Sequence, residues 1–304
     1  MKRIPLLLAL AFSLCAQNLP AQSIYGEMSL DAVDGYLLAN TTMPGGATAW
    51  FAVDLAAPTT AVTKAFAGNS TIEKLHSSTH PLDRDAASSA LGGFGFSGGA
   101  LGRTTLRMLT VGGLTFTDAT VIVLGDAPTI AGRQIAGILG TDILRRAQIA
   151  VFRFGGTPSL LLKSKANAIV KDVIELPMKM VGDIVVVEGT MNGRKADFLL
   201  DTGSPASYLP VKTLRATGAA AIPNSTREIT TLDGENAKVR GAEVESITLG
   251  GTSFTGLPFH IGELPVFGRV PESLTPVLLG NAFFTTLQFL EINFESNTVR
   301  LKKQ

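Results

Sequence analysis

The chain has 304 residues, a length that suits about two domains, and carries a formal net charge of +1. Apolar residues make up 45% of it and charged residues only 17%, so a folded core is easily built. With no basic run interleaved with aromatics, the composition argues against nucleic acid as a partner.

Lys2 and Arg3 precede an apolar run from Ile4 to Leu14, too short to span a bilayer as a mature helix. Ala16 and Ala21 offer small residues for cleavage, so residues 1–21 read as a signal peptide and the protein as periplasmic or secreted. A lipoprotein reading of Cys15 is the alternative, disfavoured by Leu14 just before it. Cys15 is the sole cysteine, so a cleaved chain would hold no disulfide. No later apolar run reaches membrane-spanning length, and no stable membrane span is expected after cleavage.

Next comes a turn signal, Pro44-Gly45-Gly46, and an apolar strand, Trp50 to Val53, that ends on Asp54. Val62 to Phe66 suggests a short helix. A glycine-rich stretch, Leu91 to Gly99, separates it from a strand running into Gly112-Gly113. Gly137 to Leu144 is apolar with a central Gly140, and Ala150 to Phe154 alternates like a half-buried strand. Lys163 to Lys171 is polar and reads as a linker, giving lobes of 22–165 and 166–304. In the second, Ile184 to Glu188 and Lys195 to Leu199 flank Asn192-Gly193, a strong hairpin signal. The strand to Leu200 ends on Asp201, followed by a short helix near Val211 to Leu214 and a hairpin around Asp233-Gly234.

The two halves align with each other. Gly137 to Leu144 falls on Val277 to Phe284, and the register continues without a gap to place Ala150 to Phe154 on Leu290 to Phe294. Upstream, Leu109 to Gly113 matches Ile247 to Gly251, and Trp50 to Asp54 matches Asp197 to Asp201. Four matches in one order, at near-constant offset, predict a duplicated, mostly β domain.

The stretch Phe198-Leu199-Leu200-Asp201-Thr202-Gly203-Ser204-Pro205 delivers a carboxylate at the end of a buried strand, with hydroxyls beside it and a glycine that lets the backbone bend. On its own it could be an Asx-turn. Together with Val277-Leu278-Leu279-Gly280-Asn281 it resembles the Asp-Thr-Gly loop and second apolar-Gly element of retropepsin-like and pepsin-like aspartic peptidases. That resemblance implies an all-β fold of two pseudo-twofold acid-protease-like β-barrel lobes. It also implies an endopeptidase that acts on peptide or protein substrate without metal or other cofactor. Two carboxylates, one from each lobe, share a proton and activate one water.

Carried onto this chain, the resemblance makes Asp201 and Asp54 the catalytic pair, with Thr202, Gly203, Ser204 and Gly280 supporting the loop. One chain with two copies favours a monomer; a homodimer pairing two copies of Asp201 is the alternative. Lobe one departs from the motif, since Leu55, Ala56 and Ala57 stand where Thr202, Gly203 and Ser204 do. Leu55 cannot lock the lobes through a hydroxyl, Ala56 adds a methyl, and Ala57 lacks the orienting hydroxyl. The apolar neighbours of Asp54 favour its neutral form, which predicts Asp54 as the proton-holding partner and Asp201 as the charged base. The damaged loop leaves a second reading open, a non-catalytic peptide-binding pseudoprotease.

A flap over the cleft belongs between the Asp54 loop and the Gly112-Gly113 strand, where Gly93, Phe94, Gly95 and Phe96 lie; a plain glycine loop is the other reading. His76 and His80 have the spacing of a metal pair but sit among loop residues with no third ligand, and no metal is expected. His260 lies in an apolar strand and reads as a satisfied core residue.

Overall fold

The computed structural model describes residues 26–42, 46–69, 72–76, 97–126, 129–164, 171–230 and 236–304. The expected signal peptide, the flap residues Gly93 to Phe96, His80, the Asp233-Gly234 turn and the middle of the polar linker lie outside them.

The described chain is mostly β, in two sheets. Apolar runs build the strands that are buried on both faces, and turn residues bend the chain between them. Asn192 and Gly193 both take positive φ, 51° and 74°, and join Ile184–Met191 to Arg194–Leu200 as a tight hairpin. The helix expected from Val62 instead begins at Lys64, after a short strand Ala61–Thr63. Its start is set by the Thr63 hydroxyl, which accepts the Phe66 N–H at 3.2 Å.

In the smaller sheet, Arg133–Leu139 runs between Thr48–Val53, to which it is parallel, and Ala61–Thr63, to which it is antiparallel. In the larger, Pro276–Leu279 runs between Arg194–Leu200, again parallel, and Ser207–Leu209, again antiparallel. In both places the last residues of the central strand, Ile135 to Leu139 or Pro276 to Leu279, are apolar and buried, and a glycine and a four-residue helix follow, Thr141–Leu144 or Asn281–Phe284.

The lobes are joined by the larger sheet. Ile149–Arg153 pairs antiparallel with Leu287–Asn293, with Val151 opposite Glu291. Outward on one side lie Ser159–Lys163 and Gly26–Ser29, and on the other Thr298–Lys303 and Ile174–Val181. This corrects the expectation of closed barrels. Among the described residues neither sheet's path returns to its first strand. Ile149–Arg153 and Leu287–Asn293 pair with each other across the junction, and the three-residue strand Asp31–Val33 leaves the smaller sheet with a short edge.

A buried ion pair crosses the same junction. Lys163 Nζ lies 2.9 Å from Glu291 Oε2, with side chains only 4% and 3% exposed, and Arg300 Nη1 approaches Glu291 Oε1 at 3.3 Å. Removing one partner strands a desolvated charge, but Arg300 would still face Glu291. Lys163→Ala is therefore expected to cost about 2 kcal/mol of unfolding free energy, below the range for a fully stranded charge. Replacing the pair together, Lys163→Met with Glu291→Leu, also takes Glu291 from Arg300, which keeps only Glu175 at 3.3 Å, and should recover only part of that loss. Urea denaturation of the three proteins checks it.

Candidate active site

Each aspartate follows the last residue of a buried strand, and the same backbone bonds hold both. The Asp54 N–H donates to Leu139 O and the Asp201 N–H to Leu279 O, each at 3.0 Å. Beneath the loops the chain crosses at Gly140 and Gly280. A Cβ there would come within 2.8 Å of Ala57 O and 2.1 Å of Ala206 O respectively, so only glycine lets the strand pass. The following residues then tie the loops down, with Thr141 N–H to Ala57 O and Asn281 N–H to Ser204 O, both 2.8 Å. Their side chains repeat the pattern. The Thr141 hydroxyl donates to Leu55 O and the Asn281 amide to Thr202 O, again both 2.8 Å. The loop scaffold of lobe one is intact despite its altered side chains.

The structure brings Asp54 and Asp201 together. Both are 1% exposed, and their carboxyl groups share a hydrogen bond. Asp201 Oδ1 accepts the Gly203 N–H at 2.8 Å and Oδ2 accepts the Ser204 hydroxyl at 2.8 Å. Asp54 lacks a hydroxyl neighbour, but its Oδ1 accepts two backbone donors, Ala56 N–H at 2.7 Å and Ala57 N–H at 3.1 Å. The expected lobe contact is half present. Leu55 N–H donates to Thr202 Oγ1 at 3.1 Å and the Thr202 hydroxyl donates on to Val53 O at 2.8 Å, while Leu55 returns nothing.

Burial pushes both carboxyls above their ordinary value. Asp201 is raised the further, first by desolvation and then by the charge of Asp54. At Asp54 desolvation is opposed by the Ala56 and Ala57 N–H donors, by Asp201 and by the nearby Arg269 cation. Asp201 is thus held the higher of the two, which favours the proton there and the charge on Asp54, opposite to the expected division. Side-chain identity pointed the other way, but the backbone aims two N–H groups at one Asp54 oxygen and Arg269 adds its positive charge nearby.

Four further residues meet this site. Asn281 Nδ2 also donates to Gly35 O at 2.8 Å, so the tip of the first hairpin rests on the Asp201 loop. Tyr36, next to that tip, has its phenol pushed up to about 12 by burial and by the charges of Tyr208, Asp201 and Asp34. Tyr208 is raised likewise, chiefly by burial. Arg269 Nη2 donates to Ala56 O at 3.1 Å. Asn281 stands inside a recognisable motif, but no local pattern marks Tyr36, Tyr208 or Arg269, which reach the site only through folding. His260 is half-buried, with Nε2 2.8 Å from Arg227 Nη2, and His76 falls on the strand Ile72–His76. Among the described residues no cluster suited to a metal ion occurs.

Residues 187–283, which contain the Asp201 loop and Gly280 but not Asp54, match the family model for aspartyl protease. The whole chain is similar to the crystal structure of aspartic proteinase from Irpex lacteus, at 14% identity and a TM-score of 0.54, over 92% of this chain and 97% of that one. At that identity the likeness speaks for the fold. No curated protein matches the chain. The fold and the Asp-Thr-Gly loop thus define the class, that of the acid-protease-like β proteins. Within it, residues 187–283 carry the similarity to the aspartyl protease family.

Two outcomes follow from this geometry. Thr202→Val leaves the buried Leu55 N–H and Val53 C=O without their partner and should cost about 3 kcal/mol of stability, while Thr202→Ser stays within about 1 kcal/mol of wild type. Denaturant titration measures both. The second concerns pH. A carboxyl whose native value lies above the ordinary 3.8 binds a proton in the folded state that the unfolded chain has already lost. Its stabilising contribution is therefore whole below 3.8 and lost as pH rises through the raised native value. Melting temperature should fall over that interval in the wild type and show a flatter profile in Asp201→Asn.

Proposed function

We propose that the protein is an exported aspartic endopeptidase whose working pair is Asp54 and Asp201. The observation that carries this reading is the convergence of two buried carboxyl groups, within hydrogen-bonding reach of each other, from two loops held by the same backbone bonds. Two such groups cannot both ionise, so one proton is shared between them, and a water bound at the pair meets a base and an acid at once. The ionised Asp54 takes a proton from the water as its oxygen attacks the scissile carbonyl carbon. The protonated Asp201 hydrogen-bonds to the carbonyl oxygen and supplies its proton as the tetrahedral adduct forms. The proton held on Asp54 then passes to the departing amide nitrogen, and the adduct's hydroxyl proton returns to Asp201 as the C–N bond breaks. The substrate is a peptide or protein segment, and one chain supplies both carboxyls, which supports a monomer.

Export rests on the amino-terminal pattern of Lys2, Arg3 and the apolar run to Leu14. The division into a signal segment, residues 1–21, and two related lobes, 22–165 and 166–304, rests on the same sequence and on the internal alignment. A non-catalytic peptide-binding role has one observation in its favour, the loss of both hydroxyls from the Asp54 loop at Leu55 and Ala57.

Cleavage of an apolar peptide library from acid to neutral pH, with and without pepstatin, separates the two. Wild type should cleave, and Asp201→Asn and Asp54→Asn should each lose at least about a thousandfold in kcat/KM with the fold retained. Peptide binding without cleavage at any pH would favour the binding role. Full activity in Asp54→Asn that climbs steeply with protein concentration would favour a homodimer pairing two copies of Asp201.

A further inference from the structure

The Asp54 loop has lost the hydroxyls its counterpart uses, yet it is tethered from the other lobe. Arg269 closes the 3-10 turn Pro265–Arg269, and its Nη2 donates to Ala56 O at 3.1 Å, across a sequence separation of 213 residues. That carbonyl belongs to the same peptide unit as the Ala57 N–H, which donates to Asp54 Oδ1 at 3.1 Å. Guanidinium, peptide and carboxylate thus form a relay of hydrogen bonds running one way. In such a relay each link polarises the next, so a cation on the carbonyl side strengthens the N–H as a donor. Arg269 is half-buried, where its charge is less screened than at the surface, and a guanidinium keeps that charge at any working pH.

We propose that Arg269 is a positioning residue for the pair, which acts through the Ala56–Ala57 peptide to hold the single negative charge on Asp54. It supplies to lobe one the orientation that the Ser204 hydroxyl gives Asp201. The proposal rests on the paired-aspartate reading above. The acidic groups facing Arg269 are Asp54, Asp201 and Asp183, the last also paired with Arg145 at 3.1 Å. Tyr36 and Tyr208 face Asp201, and both phenols are raised, so they stay neutral through the range in which the carboxyls titrate. Arg269 therefore sits where three acids converge but makes its directed bond to the one peptide that serves Asp54. Its position also fits the asymmetry of the loops, because Ala57 is the residue whose missing hydroxyl would otherwise have oriented the carboxylate.

The test uses the full chain with Arg269→Gln, which keeps a donor near Ala56 but no charge, and Arg269→Lys, which keeps the charge without the planar fork. Two readouts are taken, the pH profile of kcat/KM on an apolar peptide and the titration of 13Cγ-labelled aspartates by NMR, which needs no turnover. A nearby cation favours the anionic pair, so its removal makes the proton harder to lose. In Arg269→Gln both limbs of the profile, and the titration of the pair, should move up by about one pH unit, with Arg269→Lys staying near wild type. A folded Arg269→Gln whose carboxyl titration superposes on wild type overturns the proposal, whether or not peptide is cleaved. A wild type that cleaves nothing while the titration still moves in Arg269→Gln sinks the peptidase reading and upholds the role of Arg269. Should Arg269→Gln fail to fold, the lysine variant decides. A titration displaced by about one unit despite the retained charge overturns the proposal, and an undisplaced one supports it.

Discussion

Two carboxyl groups buried against each other can hold only one negative charge between them, and much of this structure serves that constraint. Bringing Asp54 and Asp201 together costs desolvation at both, which the surrounding donors offset in part. Ala56 and Ala57 N–H, Gly203 N–H and the Ser204 hydroxyl each point at one of the four oxygens or its neighbour. Those donors are in place because each loop is pinned from below by a glycine crossing and from the side by the residue after it. The parallel strand pairs, in turn, hold the glycines at the right depth. The electrostatics at the centre and the sheet topology around it are one arrangement viewed at two scales.

The loops reach the same geometry by different means. In the Asp201 loop, side-chain hydroxyls do much of the work, with Thr202 bridging to the other lobe and Ser204 holding the carboxylate. In the Asp54 loop, backbone N–H groups do it, and side chains of the opposite lobe supply what Leu55 and Ala57 cannot. Thr202 Oγ1 accepts the Leu55 N–H, and Arg269 Nη2 donates to Ala56 O. Loss of a motif's side chains is therefore a poor guide to loss of its geometry when the backbone path is fixed elsewhere. A loop whose carbonyls and amides are all engaged by neighbouring elements tolerates exchange of the side chains that merely assisted.

Much of this was legible in the sequence where interactions are local. The strand ending on Asp201, the Asn192-Gly193 hairpin and the glycine of Val277 to Asn281 each carry their physical reason within a few residues. The mostly β class followed from alternation and turn residues. What could not be read depends on chain segments far apart. Arg269 and Ala56 are joined only by folding, and the donors that favour charge on Asp54 are two alanine N–H groups whose direction the backbone turn sets. Closed barrels came with the family resemblance, which rests on the active-site loops and carries no residue of the junction. The junction strands, whose edges are satisfied by the other lobe, have no separate signature.

The junction sheet also sets a condition on timing. Its inner strands come from residues 149–163 and 287–303, and the support of the Asp201 loop from Gly280 and Asn281, so the pair cannot form from an amino-terminal fragment. Contacts of such long range form late and slowly, after most of the chain is available. A growing chain therefore carries Asp54 through more than two hundred further residues before Gly280 and Asn281 are available to hold the Asp201 loop. The pair therefore exists only once segments from both halves of the chain have met.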